Sequence, residues 1–340
     1  MYVYTVTPES VGNDEDAGEN FRTRISQAAE ASEQAGWTGM LVPHNLHEVD
    51  PWMVACYLGS VTESVIPLLA LQPASTPPHA AAAAAAAYAL LFDRPMYFNL
   101  VAGARDDEMR RIGDDLTHDQ RYERLRQYGS ILRRLLQGES VTESSGYYVY
   151  NRFRLEPWHE ALSQCKFFMA GSSDASMSVA ADIADVIVTH PVPYADWCES
   201  FLEPLRLTGY DREIGIRIGI ICRPDAGDAW QAALGRFPES WVGRQETALK
   251  QISQNVWSRN LALRAMTENP EFADTAAERD PYWLGAFRSG RASAPFLVGS
   301  YAQVSAKLGE YTDAGVSQLL LSGSHSDDFE HIVKVINKLR

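Results

Sequence analysis

Short apolar runs alternate along the chain with longer segments whose apolar residues recur at helical spacing. Several of the short runs are apolar on both faces, as in Val186, Ile187 and Val188, which is typical of parallel strands covered by helices on each side. The pattern predicts strands at residues 2–6, 38–42, 65–71, 96–101, 166–170, 185–189, 214–221 and 318–321.

Two of the intervening helices carry clear boundary signals. The first, residues 21–35, ends before Gly36, a residue type that commonly closes a helix. The second, residues 79–91, is alanine-rich and opens after Pro77 and Pro78. Because alanine has the highest helix propensity and a small side chain, this run predicts a closely packed helix and not a low-complexity segment.

Eight strand–helix units in series predict an α/β fold, a (β/α)8 TIM barrel, because right-handed crossovers between parallel strands close such a series into a barrel. A minimal barrel takes about 250 residues, which leaves about 90 for insertions. We place the insertions at about residues 143–155, predicted as a β-hairpin around Asn151, and at about residues 237–291, which are polar and helical in pattern. Since no repeat and no glycine–serine linker divides the sequence, we expect residues 1–340 to form a single domain.

The charge balance narrows the range of partners. The chain has 30 Lys and Arg residues against 44 Asp and Glu residues, a net charge of −14, which argues against binding nucleic acid or anionic membranes. Its four cysteines form no closely spaced pair, so we expect reduced thiols in a cytoplasmic protein and no metal site. The N-terminus lacks a signal-peptide pattern, and the alanine run at residues 80–87 is too short to cross a bilayer.

In a (β/α)8 barrel the active site lies at the C-terminal ends of the strands, so polar residues near those ends are candidates. Asn99 lies inside the fourth apolar run, where the alternative is an asparagine that only forms hydrogen bonds within the barrel. A polar cluster from His118 to Glu123 opens a helix that runs to Gln137, and the alternative there is an ordinary helix start with Asp119 as N-cap.

Gly171, Ser172 and Ser173 stand between a predicted strand and a predicted helix. Two hydroxyls beside the unpaired amides of a helix N-terminus form a geometry that binds phosphate, although serine capping of the helix explains the same residues. No glycine-rich dinucleotide fingerprint and no phosphate-loop lysine motif occurs, which argues against NAD in a Rossmann site and against ATP.

Taken in order, eight sequence blocks resemble the bacterial luciferase-like flavin monooxygenases, and most closely the alkanesulfonate monooxygenase branch. The resemblance covers nearly the whole chain. The blocks are Gly36-Trp-Thr-Gly-Met-Leu-Val-Pro43, Asp50-Pro-Trp-Met-Val-Ala55, Phe98-Asn-Leu-Val-Ala-Gly103, His118-Asp-Gln-Arg-Tyr-Glu123, Gly171-Ser-Ser-Asp174, Gly215-Ile-Arg217, Leu297-Val-Gly299 and Leu321-Ser-Gly323.

The resemblance implies a site for reduced FMN. Gly171, Ser172 and Ser173 correspond to the family's phosphate donors, Tyr122 to a tyrosine that reaches the same phosphate, and His118 to a residue of the same pocket. By the same resemblance, Asn99 corresponds to the polar residue beside the reactive edge of the flavin ring, and Ala102 is a further cofactor-binding candidate.

Arg217, in the seventh predicted strand, resembles an arginine that in this family points into the active site. A cation there stabilises negative charge on a peroxide or on an anionic substrate. The alternative is an interior arginine paired with a carboxylate.

The residues of the substrate half depart from the sulfonate enzymes. Glu48 stands where they have a cysteine, Glu9 lies in the stretch where they have a histidine, and Gly219 replaces a second histidine. Ser324, with His325 beside it, replaces a tyrosine. The pattern therefore retains the flavin chemistry and makes an alkanesulfonate a doubtful substrate.

Two further groups are candidates for contacts with the substrate. His44, His47 and Glu48 follow the second strand, and they suit substrate contact or proton transfer; a solvated loop is the alternative, and a metal site lacks a third well-placed ligand. Arg288 and Arg291 lie where the family has a mobile lid, and a flexible surface loop is the alternative.

We therefore expect an FMNH2-dependent two-component monooxygenase, with reduced FMN supplied by a separate NAD(P)H-dependent flavin reductase and O2 as co-substrate. A peroxyflavin intermediate would transfer one oxygen atom to a small organic substrate, with the chain assembled as a homodimer or homotetramer. The catalytic candidates are Asn99, Arg217, His118, Glu48 and His47.

Several alternatives remain open. They are a deazaflavin-dependent oxidoreductase of the same fold, a desulfonating alkanesulfonate-type monooxygenase, a non-catalytic flavin-binding relative and a barrel without flavin. The type of oxygenation is equally open among desulfonation, Baeyer–Villiger oxidation and N- or C-hydroxylation.

Overall fold

The computed structural model describes residues 1–10, 17–46, 48–103, 106–239, 241–251, 256–267, 275–323 and 325–339. Two of the predicted site residues, His47 and Ser324, lie outside these ranges. The strands are β1 Tyr2–Val6, β2 Gly39–Val42, β3 Ile66–Leu71, β4 Tyr97–Leu100, β5 Val141–Glu143, β6 Tyr150–Phe153, β7 Phe167–Ala170, β8 Val186–Thr189, β9 Glu213–Arg223, β10 Tyr282–Trp283, β11 Phe296–Ser300 and β12 Val316–Leu321.

The helices alternate with these strands. They are α1 Ala17–Gln34, α2 Pro51–Val61, α3 Pro78–Phe92, α4 Asp106–Arg111, α5 His118–Leu136, α6 Asp174–Ile183, α7 Tyr194–Trp197, α8 Glu203–Leu207, α9 Ala226–Arg236, α10 Trp241–Lys250, α11 Val256–Thr267, α12 Gly285–Arg288, α13 Tyr301–Asp313 and α14 Ser326–Ile336. Among the described residues, no helix combines the length and hydrophobicity needed to cross a membrane.

All eight strands predicted from the apolar runs are present, as β1 to β4, β7, β8, β9 and β12. The pairs β2–β3, β3–β4, β4–β7, β9–β12 and β1–β12 are parallel. The predicted fold class is confirmed: the chain has the α/β fold of a (β/α)8 TIM barrel.

The backbone divides into two compact units. The N-terminal unit comprises Thr7–Ile187 and Thr208–Arg212, and the C-terminal unit comprises Met1–Val6, Val188–Leu207 and Glu213–Arg340. A single domain stays a prediction.

In the N-terminal unit, helices cover a sheet with the order β2-β3-β4-β7. The alanine-rich segment forms α3 as predicted, and Ala81, Ala85 and Ala89 are fully buried, which small side chains at a close helix contact explain. Gly36 follows α1 with a positive φ of 68°, the conformation that ends helices and that glycine adopts without strain.

The predicted hairpin is present, but its turn lies earlier than Asn151. Strands β5 and β6 pair antiparallel, and Asn151 lies within β6. The turn instead uses Gly146, which has a φ of 96°, and Gln127 fixes it by donating to Ser145 O (2.9 Å) and accepting from Tyr147 N (2.7 Å). The serine–glycine segment supplied the turn chemistry, and the prediction centred on the wrong polar residue.

The C-terminal unit has β11-β9-β12-β1 as its parallel order, with β10 antiparallel to β11. Its predicted helical insertion contains α10, α11 and α12. Trp230, Phe237, Trp283 and Phe296 pack ring against ring where the insertion meets β11 and α9, so a buried aromatic cluster anchors this segment.

Candidate active site

The N-terminus of α6 carries the predicted phosphate-binding residues in the N-terminal unit. Ser173 is the N-cap, and its hydroxyl accepts a hydrogen bond from Ser176 N at 3.3 Å, which confirms the capping alternative. The Tyr122 hydroxyl forms hydrogen bonds with the side chains of Ser173 and Ser176. The structure therefore brings Tyr122 of α5 to the start of α6, as the sequence motifs implied.

Gly171 packs closely against the Ser176 side chain, so any larger residue at this position would clash. A Cβ atom added to Gly171 would lie 2.4 Å from Ser176 Oγ and 3.7 Å from Tyr122 Oη. Ser172 lies beside it and is half-buried. Hydroxyl groups and backbone amides at a helix N-terminus are donors of the kind that fit the phosphate group of FMN.

The electrostatics of Tyr122 point the same way. Burial raises the pKa of the Tyr122 hydroxyl, while its hydrogen bonds and the charge of Arg121 oppose that rise. Tyr122 is therefore a neutral hydrogen-bond donor at physiological pH, and Arg121 adds positive potential. Both properties favour an anion at this place.

Helix α5 begins two residues earlier than the capping alternative predicted. Thr117, and not Asp119, is the N-cap, because Thr117 and Gln120 form a reciprocal capping box. His118 is consequently the first helical residue, one turn before Tyr122, and the two ring centroids lie 4.9 Å apart. The Nδ1 atom of His118 lies 2.8 Å from Asp119 Oδ1 on an exposed surface.

Asn99 occupies β4 between Ala70 of β3 and Phe168 of β7. It is half-buried, whereas its neighbours Phe98 and Leu100 on the opposite strand face are fully buried. Ala102, which follows β4, is buried at 9% exposure.

Gln72 directly follows β3 and was not among the residues predicted for the site. Its side chain forms a small cluster with His44. Burial lowers the pKa of His44, and a hydrogen bond with the Gln72 side chain opposes that shift. Ser75 Oγ lies 3.3 Å from His44 Nε2. A polar residue directly after an apolar strand was the available signal, since strand ends carry the site in this fold.

Glu48 is engaged by the segment after β1. Its carboxylate accepts hydrogen bonds from Ser10 N at 2.8 Å and from the Ser10 hydroxyl. The described residues contain no group of three or more His, Cys, Asp or Glu side chains that could hold a metal ion. Glu48 thus ties two loops together, and its catalytic role stays a prediction.

Arg217 lies on β9 in the C-terminal unit. Its Nε atom is buried without a hydrogen-bond partner, and burial lowers the pKa of the guanidinium to about 10. Among the described residues no carboxylate forms an ion pair with Arg217, so the alternative of a paired interior arginine finds no support there. Arg217 is still charged at neutral pH.

The replacement of a family histidine by Gly219 has a structural reason. A Cβ atom on Gly219 would lie 2.3 Å from the ring of Phe296, and one on Gly323 would lie 2.9 Å from the same ring. Phe296 therefore fills the space that side chains at residues 219 and 323 would need.

His190, the first residue after β8, was also not among the residues predicted for the site. It is 7% exposed, and its ring stacks on Trp257 with a centroid distance of 3.7 Å. Burial, followed by the charge of Arg217, lowers the pKa of His190 well below its usual value. The signal was again a polar residue at a strand end.

The remaining predicted residues lie on packed parts of the C-terminal unit. Arg288 donates to Ala265 O at 3.5 Å, and Arg291 donates to Arg236 O at 3.3 Å, so both side chains contact the scaffold. His325 precedes α14, and burial together with the charge of Arg236 lowers its pKa.

Comparison with known proteins identifies the chain's relatives. It is 33% identical over 318 residues to the 4-(gamma-L-glutamylamino)butanoyl-(BtrI acyl-carrier protein) monooxygenase BtrO of Niallia circulans, covering 93% of this chain and 91% of the relative. The EDTA monooxygenase EmoA from Chelativorans sp. BNC1 has the same fold, with a TM-score of 0.75 at 13% identity over 99% of this chain and 93% of that one.

A coenzyme F420 dependent reductase also has this fold. The coenzyme F420 dependent tetrahydromethanopterin reductase from Methanopyrus kandleri superposes with a TM-score of 0.67 at 12% identity, covering 100% of this chain and 99% of that one. The model of the luciferase-like monooxygenases matches residues 1–318. The protein is thus an oxidoreductase, and it belongs to the luciferase-like monooxygenase family.

Proposed function

We propose that this protein binds reduced FMN and uses O2 to oxygenate a small organic substrate. The observation that carries the proposal is the donor set at the start of α6. The hydroxyls of Tyr122 and Ser173 lie at the start of α6 next to Gly171, and Arg121 supplies positive potential. Ser172, between Gly171 and Ser173 in the chain, adds a third hydroxyl-bearing residue. These are the groups that a flavin mononucleotide phosphate requires.

When bound, reduced FMN supplies the electrons that activate O2. The chain's own residues bind and orient the flavin. Tyr122, Ser172 and Ser173 hold the phosphate by donating hydrogen bonds, and Asn99 positions the ring from β4. Arg217 provides a positive charge that stabilises negative charge formed during oxygen transfer. His118, His44, Glu48 and His47 contribute to substrate or proton handling.

The reducing equivalents come from a separate NAD(P)H-dependent flavin reductase. The chain carries no glycine-rich dinucleotide fingerprint that would bind the nicotinamide nucleotide itself.

The direct test is an anaerobic titration of the protein with reduced FMN and with reduced riboflavin, which lacks the phosphate. We expect reduced FMN to bind at least tenfold more tightly, since charge-assisted hydrogen bonds contribute about 1.5–3 kcal/mol each. Ser172→Asp should abolish this preference, because it places a carboxylate beside the phosphate. Ser163→Asp, on an exposed turn, is the matched control and should leave it unchanged. Equal affinity for the two flavins would contradict the proposal.

A second measurement separates an oxygenase from a hydride-transferring relative. Oxygen uptake is followed with reduced FMN and, separately, with a reduced deazaflavin. We expect oxygen uptake coupled to substrate oxidation only with reduced FMN. Substrate reduction by the deazaflavin without oxygen uptake would replace the proposed reaction with that alternative.

The relative from Niallia circulans favours a specific substrate class. Its name states that it oxidises an acyl group carried on an acyl-carrier protein, and the identity of 33% spans 93% of this chain. We therefore propose a carrier-bound acyl group as the substrate to test first, ahead of free sulfonates. Product formation should be faster when the acyl group is attached to an acyl-carrier protein than when the same acyl group is supplied as a free acid. A panel of alkanesulfonates in the same assay tests the desulfonating alternative.

A further inference from the structure

The segment that follows β8 in the C-terminal unit is held rigidly at its backbone. The hydroxyl of Tyr282 donates to Pro191 O at 3.1 Å, and the hydroxyl of Tyr311 donates to Val192 O at 2.7 Å. Both tyrosines are buried. These two hydrogen bonds anchor the backbone of Pro191 and Val192, the residues directly after His190.

The His190 ring is equally constrained. It lies parallel to the Trp257 ring, with an interplanar angle of 7° and a centroid separation of 3.7 Å. Its Nε2 atom is buried and has no hydrogen-bond partner among the described residues. An unsatisfied buried polar atom costs about 1–3 kcal/mol, and in native proteins such atoms commonly mark functional sites.

Arg217 gives this buried atom its electrostatic setting. Burial and, as a second cause, the positive charge of Arg217 lower the pKa of His190, so the imidazole is neutral. The Nε atom of Arg217 is itself buried and has no hydrogen-bond partner among the described residues. A neutral imidazole contributes one N–H donor, and a guanidinium contributes a planar set of donors that matches two oxygen atoms. The charge that acts on His190 is that of Arg217, and one guanidinium complements a monoanion with two or more oxygens better than it complements a phosphate dianion.

We propose that His190 and Arg217 form a binding site for a carboxylate group of the substrate, with Trp257 covering one face of the imidazole. The inference rests on the proposed function, because it names the part of the substrate that the enzyme recognises. His190 donates to one carboxylate oxygen, and Arg217 neutralises the charge.

The test uses acetate as the probe and the full-length protein without flavin. Histidine side-chain NMR signals are followed during acetate titration, and the signal of His190 is assigned by its loss in His190→Gln. We expect saturable shifts of the His190 signal, and Arg217→Gln should weaken acetate binding about tenfold or more. His331→Gln is the matched control, because His331 also lies near arginine charge but outside this cluster, and it should leave acetate affinity unchanged.

Two more variants keep the test decisive if Arg217→Gln perturbs folding. His190→Phe keeps an aromatic ring against Trp257 and removes the donor, so it should weaken acetate binding. Arg217→Lys keeps the charge and loses the planar fork, so its affinity should fall between those of wild type and Arg217→Gln. Absence of an acetate-dependent shift at His190, or an affinity equal in all these variants, would overturn the proposal.

The ligand's identity is tested by competition. Acetate and reduced riboflavin binding together supports a substrate carboxylate, whereas mutual exclusion would assign the anion to the flavin ring and overturn the substrate assignment. Tighter binding of inorganic phosphate than of acetate would also overturn it. Loss of FMN selectivity with acetate binding retained would count against the proposed function alone, so the two failures are distinguishable.

Discussion

Two charged side chains of the C-terminal unit differ in whether the described fold compensates their charge. Asp328 is fully buried, and two arginines pair with it: Arg223 at 3.0 Å and Arg236 at 2.6 Å. Arg217 has a buried Nε atom and no carboxylate partner among the described residues. One charge is satisfied within the fold, and the other is left for a ligand.

This difference separates a structural role from a functional one. Burial by itself would raise the pKa of Asp328, but hydrogen bonds and charge from Arg236 and Arg223 outweigh it and hold the pKa below its usual value. Asp328 thereby connects the end of β9, the end of α9 and the start of α14. Because nothing in the described fold compensates Arg217, we expect its removal to affect binding and not folding.

The largest effect is expected from Asp328→Asn. The substitution preserves shape but leaves Arg223 and Arg236 without their partner, and breaking a buried ion pair typically costs about 3–5 kcal/mol. Urea unfolding of the variant and of the wild type measures this loss of unfolding free energy. A loss below about 1 kcal/mol would mean that Asp328 is no more structural than an exposed ion pair.

Arg217→Gln should have the opposite effect to Asp328→Asn, because it should lower turnover without lowering the free energy of unfolding. We expect turnover to fall roughly 100- to 1,000-fold, the range found when an electrostatic donor of an active site is removed. The unfolding free energy should stay unchanged or rise, since an uncompensated buried cation is removed. Steady-state oxygen uptake and urea unfolding measure the two effects. Destabilisation as large as that of Asp328→Asn would show that an undescribed partner compensates Arg217.

The pH dependence of stability reports the setting of His190. Its pKa is lowered in the folded protein, so below the unfolded value the unfolded chain binds a proton that the folded protein does not. Stability should therefore fall as the pH drops below about 6.5, with a limiting slope of about 1.4 kcal/mol per pH unit. Urea unfolding between neutral and mildly acidic pH should give a smaller slope for His190→Phe than for wild type. Identical slopes would contradict the low pKa.

The same contrast recurs on a smaller scale at the start of α6. Ser173 caps the helix, so Ser173→Ala should cost about 1 kcal/mol of stability as well as flavin affinity. No hydrogen bond involves the Ser172 hydroxyl among the described residues, so Ser172→Ala should lower flavin affinity alone. Thermal unfolding and flavin titration of both variants test this pairing. Equal destabilisation would remove the distinction.

Local patterns predicted the barrel strands because several of them, such as β2, β3 and β8, are short apolar runs buried on both faces. Contiguous motifs indicated Tyr122, Asn99 and Ser173 as candidate site residues. His190 and Gln72 carry no such motif, and only their position at a strand end indicated them. The Thr117 cap was readable from its Gln120 partner, although Asp119 was the residue named as the N-cap.

Contacts between residues that lie far apart along the chain could not be predicted from a single sequence. Phe296 fills the space above Gly219, and the two residues are far apart along the chain. Asp328 and Arg223 are separated by 105 positions. Nothing in the local pattern of either residue signals the partner, since such pairs are created by the parallel packing of distant strands and helices.

The most direct test of the central claim is a crystal structure of the protein with FMN bound. The account predicts the phosphate within hydrogen-bonding distance of Tyr122 Oη and of the Ser172 and Ser173 hydroxyls or amides, next to Gly171. A phosphate bound elsewhere, with these groups turned only toward the α6 cap, would contradict the assignment of this protein as an FMN-dependent oxygenase.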